Sequence, residues 1–387
     1  MIHTIEHTVA CDQPITVVIR NVAFLLFSAI ASSLAQPVPP SPSGSPAVPA
    51  SPMLPPPPPA PTPSVVFAAR DPDAITGYQV NGRIVRGMVD RLVTAATGQP
   101  DVARAWSSLV SPNDTVGIKI SAAGGELFTT HNEVVNAIVD GLVAAGLSRG
   151  RIIVWDKSTE GVKQAGYSSV TASYQLRNIP PRDGYDMKAV FTAPVLGKLV
   201  WGDFEYQAEP GKTVPLSDTE NTSNVSHFSK IIANEVTKII NVPVMSNTEA
   251  NGIAGCLYNV TIPNIDNWRR FTQGYGFGAA AIAELYFDPH VGKKVVFNLM
   301  DGLMAQYAGG PQSQPNFAVH HATLYAGKDP VAIDAVALKK LEEWRAGSSL
   351  PALGQMGAYV KAASQIGLGN AAPDRIQIRN VGRAPAE

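Results

Sequence analysis

Short apolar runs alternate along the chain with segments whose apolar residues recur at the 3.6-residue spacing of a helix. The clearest unit is an apolar run at residues 116–120, a helical segment from Thr130, and another apolar run at residues 152–155. Thr130 and Glu133 have the spacing of a capping box, and Gly146 stands where a helix commonly ends. Two strands joined by such a helix are expected to be parallel, with a right-handed crossover.

The same alternation continues toward the C-terminus. Three more apolar runs predict strands, at residues 238–245, 295–299 and 318–325. Pro243 is expected to place the second half of its strand at an edge or a strand end. Asp329 followed by Pro330 is a favoured helix start, and this helix is predicted to run to about Trp344.

Together these segments predict an α/β fold with a mixed, mainly parallel sheet flanked by helices, over residues 65–387. Residues 168–225 differ from the rest, because they are rich in glycine, proline and aromatic residues and alternate locally around residues 199–206. We interpret them as a β-rich insertion or lid over the sheet.

The N-terminal part has no charged residue from Asn21 to Ala69. An apolar run that is too short to span a bilayer, followed by small residues before Gln36, predicts a secretory signal peptide over residues 1–35. Residues 36–64 are predicted to be a disordered spacer, since 14 of the 27 residues from 37 to 63 are proline. The protein is therefore expected to be exported, periplasmic or extracellular, without a transmembrane anchor after cleavage.

Composition narrows the function further. The 387 residues include 30 Lys and Arg against 31 Asp and Glu, so no basic surface for nucleic acid is expected. Only Cys11 and Cys256 are present, too few for an iron-sulfur cluster or a disulfide framework. After export only Cys256 would remain, and its small and apolar neighbours favour a buried, inert thiol over a nucleophile. Composition gives no indication of the oligomeric state.

Ligands of open parallel sheets bind beyond the carboxyl ends of the strands. Lys119 lies near the end of one predicted strand, and Asp156 immediately follows another. Such a pair could bind an anion or a metal-bound ligand, or form a salt bridge that closes the sheet, and both interpretations stay open. Asp301 follows the predicted strand at residues 295–299 and is a further strand-end carboxylate.

A second polar cluster follows the predicted strand end at Met245. It contains Asn247, Glu249 and Asn259 beside glycines, which is typical of a ligand-binding loop but also of ordinary turns and caps. Asp334 is either a ligand-binding group or an acidic residue that interacts with the dipole of its own helix. His320 and His321 are adjacent in a predicted strand, so their side chains should point to opposite faces and not share a metal.

These motifs together resemble the bacterial and archaeal domain of unknown function number 362. The resemblance covers about residues 110 to 370 and rests on short stretches in the family's order, at residues 116–119, 130–135, 153–158, 239–245, 252–259, 301–302, 309–311, 326–334 and 366–369. It implies an α/β fold of unassigned activity, with ferredoxin-like clusters in some relatives. This chain has no cysteine-rich segment, so a redox role does not transfer to it.

The leading hypothesis is an exported protein that binds a small anionic or metal-complexed ligand at the carboxyl ends of the strands. Whether it is an enzyme is left open. Lys119 would neutralise an anion, Asp156 and Asp301 would act as ligands of a divalent metal or as acid/base groups, and Asn247, Glu249 and Asn259 would orient the ligand. The alternative is a non-catalytic surface or scaffold protein displayed on the proline-rich spacer.

Overall fold

The computed structural model describes residues 62–206, 221–274 and 278–382. All of them belong to one compact unit. The predicted signal peptide and residues 36–61 of the predicted spacer lie outside the described residues. Ser64, which was expected to end the spacer, already begins the first strand.

Fourteen strands and eight α-helices make up the described fold. The strands are β1 (Ser64–Arg70), β2 (Ile75–Thr76), β3 (Gln79–Val80), β4 (Val116–Ile120), β5 (Ile152–Asp156), β6 (Gln175–Asn178), β7 (Tyr185–Lys198), β8 (Thr222–Ser229), β9 (Lys238–Val242), β10 (Val244–Thr248), β11 (Gly252–Ile253), β12 (Val295–Gln306), β13 (Ala318–Gly327) and β14 (Ile376–Asn380). The helices are α1 (Gly82–Thr97), α2 (Val102–Ser107), α3 (Asn132–Ala144), α4 (Thr159–Gln164), α5 (Cys256–Thr261), α6 (Ala279–Phe287), α7 (Pro330–Gly347) and α8 (Ala358–Gln365).

Ten strands form the main sheet, in the order β14-β1-β13-β12-β9-β4-β5-β6, with β10 beside β12 and β11 beside β10. Most neighbours are parallel, while β13 is antiparallel to both β1 and β12. The α/β fold with a mixed, mainly parallel sheet flanked by helices is confirmed. The first residue of β1 lies at the amino edge of this sheet, opposite the carboxyl ends of β4, β5 and β9.

The strands are apolar because helices cover both faces of the sheet. Alternate residues enter different layers: Ile118 and Val154 pack with α1, α2 and α3, whereas Ile153 and Trp155 pack with α5, α6, α7 and α8. Gly117 leaves room for the Trp155 ring on the second of these faces, since a side chain there would collide with it. Because side chains alternate between the two faces along β4 and β5, these strands contribute to the hydrophobic core on each face.

Gly146 and Asp329 have the predicted roles at helix ends, whereas Thr130 does not. Gly146 has the left-handed φ of +93°, and Asp329 caps α7 by accepting from the Ala332 amide at 2.9 Å. The capping box was wrong, because α3 begins at Asn132 and the Thr130 hydroxyl instead donates to the Val242 carbonyl at 2.6 Å. Within the predicted β-rich insertion, residues 199–206 lie in turns and irregular structure rather than in a strand.

The region predicted as an insertion contributes to two sheets. Its first strand, β6, completes one edge of the main sheet, while β7 pairs with β8 in a separate antiparallel pair. The buried Arg270 joins this pair to the body of the fold, donating to the Val195 carbonyl at 2.8 Å and to the Ser226 hydroxyl at 2.9 Å. None of the helices in the described ranges combines the length and apolar character needed to cross a membrane.

Candidate functional site

A buried ion pair lies at the carboxyl ends of β4 and β5. Lys119 Nζ is 2.6 Å from Asp156 Oδ1, and the other oxygen of this carboxylate accepts from the Ala122 amide at 2.7 Å. Lys119 is fully buried. Burial lowers its pKa, and the adjacent Asp156 charge opposes that shift. Lys119 therefore neutralises the buried charge of Asp156, and its side chain is not exposed to an anion in solution.

A chain of amides extends the pair across the sheet. Lys119 Nζ donates to Asn259 Oδ1 at 3.2 Å, and the Asn259 amide donates to Asn241 Oδ1 at 2.9 Å. Asn241 in turn donates to Asn298 Oδ1 at 2.9 Å. The four neighbouring strands β5, β4, β9 and β12 each contribute one polar side chain to this network. Each of these side chains has a hydrogen-bond partner, as a buried polar network requires.

Helix α5, which carries Asn259, is held by a carboxylate from another element. Asp334 of α7 accepts from the backbone amides of Cys256 at 2.5 Å and Leu257 at 3.0 Å. Burial raises the pKa of Asp334 to about 7, although these amides and the Tyr359 hydroxyl oppose the shift. Asp334 thus interacts with the N-terminus of α5 rather than with that of its own helix, and it positions Asn259 from a distance.

A cavity of ≈ 220 Å³ opens beside the ion pair. Small and apolar side chains dominate its wall, and Asp156, Lys157, Ser246 and Asn259 are its main polar members. The lining residues are Ser121, Ala122, Ala123, Gly124, Phe128, Asp156, Lys157, Ser158, Gly161, Ser246, Ala254, Tyr258, Asn259, Ile262, Pro263, Trp268 and Pro311. An apolar hollow with a few convergent polar groups is the usual form of a small-molecule site.

Lys157 was not singled out from the sequence, yet it lines two cavities. The second, of ≈ 480 Å³, shares Lys157, Ser158 and Trp268 with the first. Lys157 Nζ donates to the Ile265 carbonyl at 2.7 Å and lies 2.8 Å from the Tyr185 hydroxyl. Burial lowers the pKa of Lys157 to about 7. Its position directly after the strand-end Asp156 is the signal by which it could have been found.

Asp301 lies elsewhere, and its assignment as a strand-end carboxylate was wrong. The strand does not end at residue 299, because β10 pairs alongside and β12 continues to Gln306. The Asp301 carboxylate accepts from the His131 amide at 2.9 Å and is 2.9 Å from His131 Nδ1. Burial lowers the pKa of His131, but Asp301 and Glu133 outweigh it and raise that pKa overall.

Asn247 and Glu249 also lie outside the cavity lining. Asn247 is within β10 rather than in a loop after a strand, and its Oδ1 accepts from the Gly310 amide at 2.8 Å. Glu249 accepts from the Gly309 amide at 2.9 Å and from the Asn247 side chain at 3.1 Å. These two residues therefore hold the glycine loop that precedes Pro311, a residue of the cavity wall.

Neither a metal cluster nor a reactive thiol is evident where the structure is described. Within residues 62–206, 221–274 and 278–382, no three His, Cys, Asp or Glu side chains are placed to hold a metal ion. Cys256 is a buried free thiol whose pKa burial raises well above the ordinary value. His320 and His321 have separate partners, the Gly77 carbonyl and the Tyr325 hydroxyl.

Comparison with known proteins gives a family and distant structural similarity. The family described as "Domain of unknown function (DUF362)" matches residues 116–339, more than half of the chain. Among curated proteins no significant match was found. A crystal structure of a Thermotoga maritima protein is 12% identical, with a TM-score of 0.37, and the match covers 71% of this chain and 61% of that one. The chain thus spans less than two thirds of that protein.

Proposed function

The chain belongs to the DUF362 family, whose description assigns no activity, and on this premise we propose that it is an exported protein that binds a small organic molecule in the cleft at the carboxyl ends of β4 and β5. The apolar body of the ligand would lie in the ≈ 220 Å³ cavity. Its polar head would reach Lys157 where the two cavities adjoin.

The position and chemistry of the cleft carry this proposal. Carboxyl ends of parallel strands are where open α/β sheets bind ligands. Trp268 and Tyr258 offer ring surface, while Asp156 and Asn259 present oxygen and nitrogen atoms that the buried network holds in place. Such preorganised polar groups on an apolar wall give orientation as well as affinity.

The roles expected for Lys119 and Asp301 change in this proposal. Lys119 would hold the Asp156 carboxylate in place rather than meet an anion, because its ammonium is fully buried against that carboxylate. Asp301 is paired with His131 and is left without a part in ligand binding. The cation nearest the ligand is Lys157, for which the described residues show no carboxylate within salt-bridge distance.

Export rests on the apolar run and small residues before Gln36 and on the proline-rich residues that follow. N-terminal sequencing of the protein recovered outside the cytoplasm of its host would test it. A mature chain that begins at Gln36 is expected. A chain found only in the cytoplasm with residues 1–35 intact would contradict export, without bearing on the cleft.

Ligand binding can be tested by blocking the cleft from its exposed rim. Ala123 lines the cavity and is exposed, so Ala123→Trp should fill the entrance without disturbing the core. Ala352→Trp is the matched control, at an exposed loop position outside the cleft. A small-molecule library would be screened by thermal shift against the wild type and both variants.

We expect compounds with an apolar ring and one polar head to stabilise the wild type and Ala352→Trp, and not Ala123→Trp. Native mass spectrometry of the exported protein would look for a retained molecule that Ala123→Trp loses. If every binding compound stabilises Ala123→Trp as well, the cleft is not the site, and the alternative of a non-catalytic scaffold protein is favoured.

A further inference from the structure

Two lysines stand at neighbouring strand ends, and only one has a carboxylate partner. Lys119 contacts Asp156 at 2.6 Å. For Lys157, no carboxylate oxygen among the described residues lies within 4.0 Å of Nζ, and its nearest partners are two neutral oxygens, the Ile265 carbonyl and the Tyr185 hydroxyl. A partly buried amine without a counter-charge is unusual, because desolvation disfavours its charged form.

Aromatic rings form the rest of the surroundings. Lys157 Nζ is 5.3 Å from the centre of the Tyr185 ring and 5.8 Å from that of Trp268. Arg270, buried against β7 and β8, holds the short helical turn Trp268–Phe271 in place. Lys157 and Trp268 line both cavities, and Tyr185 lines the larger one, so the amine and these rings border the same space.

The charges around Lys157 have opposing effects. Burial is the largest influence and lowers its pKa, while Asp266, Asp203 and Asp156 raise it and Arg269 lowers it further. The result is a pKa of about 7, so near neutral pH a large fraction of the amine carries a free lone pair. Burial also raises the pKa of Tyr185, whose hydroxyl therefore keeps its proton.

We propose that Lys157 is a nucleophilic amine that condenses with the carbonyl group of an aldehyde or ketone bound in the cleft. This inference rests on the proposed function and names the class of its ligand. A desolvated lysine in an apolar pocket is the form in which an amine attacks carbonyl compounds at neutral pH.

The condensation balances without a metal, an oxidant or a reductant. The Nζ lone pair attacks the carbonyl carbon, a C–N bond forms, and the π electrons of the carbonyl move to its oxygen. One proton passes from nitrogen to that oxygen and gives a carbinolamine. The oxygen then leaves as water with the second amine proton, and the C=N bond of an imine forms. The Tyr185 hydroxyl, 2.8 Å from Nζ, is placed to relay these protons.

The test uses benzaldehyde with sodium cyanoborohydride, which reduces an imine to a stable secondary amine. Intact mass and peptide mapping of the wild type would locate the adduct without any variant. At pH 7 we expect Lys157 to be labelled at least ~10-fold faster than Lys163, an exposed lysine of α4. Labelling should rise with pH around a midpoint near 7.

Lys157→Arg should lose this fast adduct, and Lys163→Arg should keep it. Labelling that spreads evenly over exposed lysines, with Lys157 no faster than Lys163, would overturn the inference. If compounds still bind in a manner that Ala123→Trp blocks, the proposed function survives that result. If Ala123→Trp binds every compound as the wild type does, both the proposed function and this inference are wrong.

Discussion

Lys119 and Lys157 lie at the ends of neighbouring strands, yet their side chains have very different environments. Lys119 points into the sheet interior, where Asp156, the Ile120 carbonyl and Asn259 occupy its three donors. Lys157 follows the next strand and lines the cavities, and the oxygens and rings in contact with its amine are neutral. The carboxylate in contact with Lys119 thus makes it a structural cation, whereas Lys157 has no carboxylate within 4.0 Å among the described residues, and we propose it for ligand chemistry.

The difference comes from the sheet geometry. Lys119 is within β4 and pairs laterally with Trp155, so its side chain meets neighbours from β5 and α5. Lys157 lies one residue beyond β5, where the backbone has left the ladder and the side chain can turn toward the loop at Ile265. Because Lys119 is in register with Trp155, two positions along the strand direction separate the core lysine from the cleft lysine.

Removing the interior lysine should have the largest effect. Lys119→Met leaves the Asp156 carboxylate buried without its counter-charge, and we expect a loss of about 3 to 5 kcal/mol in the free energy of unfolding. Urea denaturation at pH 7 would measure it, with Lys163→Met as an exposed control. Lys119→Met combined with Asp156→Asn should recover part of the loss. A stability of Lys119→Met within about 1 kcal/mol of wild type would contradict a structural role.

Two asparagines of the buried network should affect stability alike but ligand affinity differently. Asn241→Ala and Asn259→Ala each leave buried amides or carbonyls unpaired, so both should lose about 2 to 3 kcal/mol in urea denaturation. Only Asn259 lines the cavity, so Asn259→Ala alone should weaken cleft ligands, by about tenfold. Equal weakening by Asn241→Ala would show that the network acts on the ligand as a whole.

The lowered pKa of Lys157 should make the stability of the protein depend on pH. Its folded-state pKa of about 7 lies below the value near 10.4 of an unfolded chain, so between these values the unfolded state binds more protons. The stability of the wild type relative to Lys157→Met should therefore rise by about 2 kcal/mol from pH 7 to pH 9. Lys163→Met, at an exposed position of α4, is the control for the loss of a lysine over the same pH range. A flat difference for Lys157→Met would mean that Lys157 keeps an ordinary pKa.

The smallest expected effect comes from the rim that both cavities share. The Ser158 hydroxyl caps α4 by accepting from the Gly161 amide at 2.8 Å. Ser158→Ala should cost about 1 kcal/mol, and Ser158→Asp, which keeps a cap acceptor, should cost less. Thermal denaturation of both would measure this. Because neither lysine loses a partner, benzaldehyde labelling at Lys157 should stay within about twofold of wild type.

Much of the fold could be predicted because strand and helix periods are local properties. The strands at Lys119 and Asp156, the helix that begins after Asp329 and the mixed sheet follow from apolar spacing and caps. The end of β12 could not be predicted in this way. Past Asp301 it pairs with β13 on one side and with β10, a distant part of the chain, on the other.

The site could be predicted only in part, for a similar reason. Strand ends indicated Lys119 and Asp156, and their contact depends on the parallel register of β4 and β5. The role of Asp334 depends on α7 packing against the start of α5, which no spacing in the sequence indicates. Lys157 was missed because its environment is made by Tyr185, Trp268 and Ile265, which lie at least 28 residues away in the chain.

The direction in which β1 enters the sheet has a practical consequence. Ser64 lies at the amino edge, and the cleft opens at the opposite edge. A biosensor chip that captures the protein through an affinity tag placed just before Ser64 would therefore hold it by the far side of the sheet. Analytes would reach the cleft from solution without passing the chip surface, and immobilisation would not mask the binding it is meant to detect.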